Sequence, residues 1–86
     1  MTVEQAREWL RLDNSDNDDI IDSLLAGATE YIQLATGLTY EEQENSTLCN
    51  TITKYLLSLW YDPVQTDTEH LQRTIDSLLK LVTTLN

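Results

Sequence analysis

Two glycines and one proline are all that punctuate 86 residues, so little in this chain interrupts a helix. Those two residue types disfavour helix interiors most strongly, and the β-branched alternation that builds strands is scarce. Helical periodicity is therefore expected to account for most residues. A chain of this length buries only about 60–65% of the surface its unfolded form exposes, which provides for one core. The expectation is one all-α domain over residues 1–86, a small bundle of about four helices with short connecting loops.

The pattern divides into four helical segments. The first starts at Thr2, whose hydroxyl can cap the helix while Gln5 reaches back in a capping box. Val3, Ala6 and Leu10 follow on one stripe, and the segment is expected to end near Leu12. Asp13 to Asp19 is too hydrophilic for a core. It reads as a loop running into an N-cap, with its carboxylates against the positive end of the next helix dipole. The second helix carries Ile20, Ile21, Leu24, Leu25, Ala28, Tyr31, Ile32 and Ala35, and stops at Gly37, a residue suited to a left-handed C-cap.

Leu38 to Asn45 has no strong apolar period and reads as a loop or a frayed helical turn. The third helix spans about Ser46 to Tyr61, with Leu48, Ile52, Tyr55, Leu56, Leu59 and Trp60 facing inward, and Asp62-Pro63 ends it because proline disfavours a helical residue before it. A fourth begins after Asp67 as cap. Its Leu71, Ile75, Leu78, Val82 and Leu85 recur at four, three, four and three, the spacing of a coiled-coil seam. With Leu79 and Leu81 beside that seam, the last helix carries more apolar surface than one small core covers, and a neighbouring helix is its natural recipient. Leu71, Ile75, Leu78 and Val82 are thus expected to serve both folding and assembly.

Catalysis finds little material here. One cysteine and one histidine are present, and neither a Gly-rich phosphate loop nor a Walker lysine occurs. Cys49, beside Leu48 in a helical pattern, reads as a small buried hydrophobe. His70 falls in the first turn of the last helix, facing solvent, where no catalytic role follows. Asp13, Ser15 and Asn17 match the first ligand positions of an EF-hand loop, but Asp18 stands where that loop needs glycine and Leu24 where it needs a bidentate glutamate. No catalytic residue, cofactor or metal is expected. Trp9, Trp60, Tyr55 and Tyr61 read as core aromatics that keep a polar edge near the surface.

Charge narrows the partners. Fifteen acidic and five basic residues give a formal net charge of −10, which opposes adhesion to duplex DNA and to anionic membranes. Eleven acidic and two basic residues fall in positions 1–50, so the first half carries nearly all of the field. That field keeps the protein soluble, meets a basic partner, or lines a passage through which DNA slides without sticking. A lone cysteine excludes an intrachain disulfide. The N-terminus lacks the basic start and apolar centre of a secretory signal, and no apolar run approaches the roughly 20 residues of a membrane span. A soluble, intracellular protein without membrane contact is expected.

The order of parts then resembles a known family. It is carried by Val3-Glu4-Gln5-Ala6-Arg7-Glu8-Trp9-Leu10-Arg11-Leu12-Asp13, the acidic stretch, Asp19-Ile20-Ile21-Asp22-Ser23-Leu24-Leu25-Ala26-Gly27-Ala28, Tyr31-Ile32, Thr36-Gly37, and Leu56-Leu57-Ser58-Leu59-Trp60-Tyr61. Across most of residues 2–62 this is similar to the head-tail connector proteins of tailed phages, small helical adaptors also described as possible DNA-packaging proteins. Members often carry a basic residue shortly after the terminal aromatic, where this chain has Asp62-Pro63, and its last helix is longer.

The resemblance implies a non-enzymatic subunit, made in the bacterial host cytoplasm and placed in the virion at the head-tail junction. It implies a homo-oligomeric ring docked on the portal protein, next to tail or head-closure proteins, with DNA passing through without specific binding. A ring requires a heterologous interface, one face of each copy meeting a different face of the next. The rival reading from the residues is an acidic helical protein-binding module or a DNA-mimicking inhibitor.

Overall fold

In the computed structural model, which describes residues 1–64 and 67–85 apart from the side chain of Leu85, the first helix, α1 (Val3–Leu10), begins on a complete capping box. The Thr2 hydroxyl accepts from the Gln5 amide, and the Gln5 side chain accepts from the Thr2 amide. The helix closes two residues before Leu12, because Arg11 takes a left-handed conformation and the Leu12 amide donates to the Arg7 carbonyl. The second helix, α2 (Asp18–Thr36), ends where expected, at Gly37 with φ 81°. Its start differs in detail. The Asn17 amide does not cap the helix but donates to the Tyr61 hydroxyl at 2.7 Å, leaving Asp18 and Asp19 in the first turn to answer the dipole.

The segment read as a loop or frayed turn contains a short helix, α3 (Tyr40–Glu44), with its own capping box between Thr39 and Glu42. It raises the helix count to five among the described residues, and none of these residues forms a strand. Then come α4 (Thr47–Tyr61), capped by the Ser46 hydroxyl, and α5 (Thr68–Leu85), where the Asp67 carboxylate accepts from the His70 amide.

The core is divided into two clusters. Ala6, Ile21 and Leu57 are fully buried at the meeting of α1, α2 and α4. Ala28, Ile32, Cys49, Ile52, Leu56, Ile75 and Val82 form the other, between α2, α4 and α5. Ile21 packs with Leu57 in one cluster and Ile32 with Cys49 in the other, so α2 and α4 run antiparallel and contribute opposite ends to each. The remaining two long elements, α1 and α5, have no Cα atoms within 8 Å of each other among the described residues. Leu56 and Leu57, adjacent in sequence, therefore serve different clusters, and α4 is apolar around more of its circumference than a single stripe would require.

Some positions expected to face inward do not. Ile20 is 54% exposed and Ala35 is exposed, because the buried arc of α2 runs through Ile21, Ala28 and Ile32, and both residues fall near helix ends where no neighbour covers them. Trp9 and Trp60 are also not core residues: each lies across a helix contact with one edge in solvent.

Candidate assembly surface

Of the five seam residues of α5, the side chain of Leu85 lies outside the described residues; Ile75 and Val82 are 0% and 3% exposed, within the core of the same chain, while Leu71 and Leu78 are half-buried against that core. The seam is thus occupied by α2 and α4, and most apolar surface left to a neighbour lies elsewhere. Large hydrophobic residues exposed among the described residues include Leu34, Val64, Tyr40, Ile20 and Leu81.

Two of these lie on one strip of α2. Ile20, Gly27 and Leu34 recur at intervals of seven, which returns to nearly the same side of a helix every two turns. The Trp60 ring lies over Gly27, where a Cβ would stand at an ordinary contact distance of 3.7 Å, and it also meets Tyr31 edge-on with ring centroids 6.0 Å apart. Ile20, Trp60, Tyr31 and Leu34 form a partly exposed apolar band about 20 Å long at 1.5 Å per residue. Periodicity alone placed Trp60 inward; its half-exposed position follows from packing on Gly27.

The charges that α2 itself carries have one sign. Between Asp18 and Thr36 the sequence has four acidic residues and no basic one. On α5, Arg73 pairs with Glu69 at 2.7 Å on its own helix, and Lys80 has no ion-pair partner among the described residues. Lys80 is exposed and adjoins Leu81, which is 51% exposed.

The N-terminal helix is held by polar contacts. The Trp9 indole N–H is 2.9 Å from both the Lys54 carbonyl and the Ser58 hydroxyl, and the Lys54 ammonium stands 5.4 Å from the Trp9 ring. Arg7 Nε lies 3.0 Å from Asp18 Oδ1; the two atoms are buried but not aligned as a hydrogen bond, so the contact is chiefly coulombic. The Met1 ammonium donates to Glu44 at 2.7 Å, which holds the Glu44 carboxyl below its ordinary value despite partial burial that acts in the opposite sense. Hydrogen bonding to Glu44 raises the Tyr40 phenol. Beside this contact, a cleft of about 510 Å³ opens between α1, α2, α3 and α4, with Val3, Leu25, Gln43 and Thr53 among its walls.

Cys49 is fully buried and His70 is exposed on α5. Among the described residues no three His, Cys, Asp or Glu side chains gather as metal ligands, and no helix is long and apolar enough to cross a membrane. Asp13, Ser15 and Asn17 lie in the α1–α2 connection, where the Asn14 side chain accepts from the Asp16 amide in a local turn. The sequence matches the family model of phage gp6-like head-tail connector proteins over residues 1–82. No curated protein and no solved structure shows significant similarity to it.

Proposed function

Because this chain belongs to the phage gp6-like head-tail connector family, a family of structural virion proteins, we propose that its copies close head to tail into a ring on the portal of a filled capsid. The ring forms part of the passage through which DNA moves. Tail or head-closure proteins meet its far side. The match across nearly the whole chain carries this reading, and two physical features support it. The exposed apolar band on α2 is surface that a neighbour would cover. The net charge of −10 repels a polyanion, which suits a conduit that must not retain its cargo.

Native mass spectrometry of the purified protein, alone and mixed with its portal, tests the reading. A closed oligomer, or co-assembly with the portal in a fixed ratio, is the expected result. A chain that remains a single copy at every concentration and is absent from portal complexes would refute it. Capture of a basic protein by that monomer would instead favour the acidic binding module. The part of Leu71 and Leu78, half-buried on α5, is tested alongside by the same measurement on Leu71→Ser and Leu78→Ser.

A further inference from the structure

Resting on the ring reading, we infer that the contact between neighbouring copies places Leu34 and Glu30 of α2 in one copy against Leu81 and Lys80 of α5 in the next. Leu34 is 81% exposed and ends the apolar band that includes Trp60 and Ile20. Glu30 precedes it by four residues and lies on the same side of the helix. The partner surface must supply an apolar contact and a cation, because α2 has no cation of its own.

The chain contains five basic residues, and three already have partners. Arg7 faces Asp18, Arg73 pairs with Glu69, and Lys54 stands over Trp9. Arg11 is exposed at the left-handed turn that closes α1, but the exposed hydrophobe beside it, Trp9, is already turned onto α4 by its indole hydrogen bonds. Lys80 combines an exposed ammonium, no ion-pair partner among the described residues, and an exposed leucine next to it. Within one copy no ion pair joins Glu30 to Lys80, so both are available across a junction. In a chain this acidic, copies repel one another unless cations are placed opposite acids. The two patches lie on different helices, as a heterologous interface requires.

Charge reversal separates this arrangement from the alternatives. Glu30→Lys and Lys80→Glu are each expected to weaken self-association by about fivefold, and the double variant is expected to regain most of the loss. Leu34→Ser and Leu81→Ser are expected to weaken it by about tenfold or more, with helical circular dichroism retained and the urea midpoint little changed because Leu34 is 81% and Leu81 51% exposed. Sedimentation velocity over a concentration series reads all of these. Assembly that forms normally in every variant would overturn the inference and leave the ring reading standing. Variants that lose portal binding but keep self-association would overturn it in favour of a portal contact. Wild-type protein that neither self-associates nor joins the portal would remove the ring reading, and this inference with it.

Discussion

The Gln43 side chain, 6% exposed, donates at once to the Thr29 carbonyl at 3.1 Å and to the Leu38 carbonyl at 3.0 Å. One buried amide thereby ties α3 to the body of α2 and to the turn between them. Replacing it with alanine removes two hydrogen bonds and leaves the Leu38 carbonyl without this donor, a loss of about 1–3 kcal/mol. Urea denaturation followed by circular dichroism should show the midpoint falling while the slope is unchanged.

Ile75 and Leu81, six residues apart on α5, should respond oppositely to truncation. Ile75→Ala empties a fully buried site and is expected to cost about 2–5 kcal/mol. Leu81→Ala should change stability by about 0.5 kcal/mol or less, since the side chain is half in water. Paired thermal melts of the two variants check this.

The two glycines also diverge. Gly27 is within α2, and a Cβ there would sit at 3.7 Å from the Trp60 ring, an ordinary contact. Gly27→Ala should therefore stabilise by about 0.4–1 kcal/mol through reduced freedom of the unfolded chain. Gly37→Ala should destabilise by about 1 kcal/mol despite open space around it, because φ 81° disfavours a side chain. Opposite shifts in melting temperature are the expected outcome.

Acid should weaken the link between the N-terminus and α3. The Glu44 carboxyl titrates below its ordinary value because the Met1 ammonium donates to it. Its contribution to stability is present above the unfolded carboxyl's pKa and is lost as pH falls through the depressed folded value. Glu44→Gln should be less stable than wild type at neutral pH, and the gap should close as pH falls below the ordinary carboxylate range. A gap that stays constant across that range would rule out the ion pair as its source.

Much of this architecture is legible in the amino-acid order. The Thr2–Gln5 box, the Gly37 stop, the Ser46 start and the Asp67 cap act through local backbone chemistry, and the structure has each in place. The short helix at Tyr40–Glu44 was not legible from hydrophobic period, since the residue it buries is Gln43; the Thr39–Glu42 capping box was the available signal. Leu57 falls outside a single inward stripe and is buried because α4 is covered from two sides. For the seam of α5, spacing marked Ile75 and Val82 as packing residues but could not say which chain would cover them. The band on α2 depends on Trp60 lying over Gly27, a contact between residues 33 positions apart, which periodicity within one segment does not reveal.

The separation of α1 from α5 among the described residues sets the path that mechanical load takes through the subunit. A pull on α5 reaches α1 only after crossing α2 and α4, the two rods that extend through both apolar clusters. Under such a load the antiparallel pair would act as the strut, and the outer helices as separate fittings at either end.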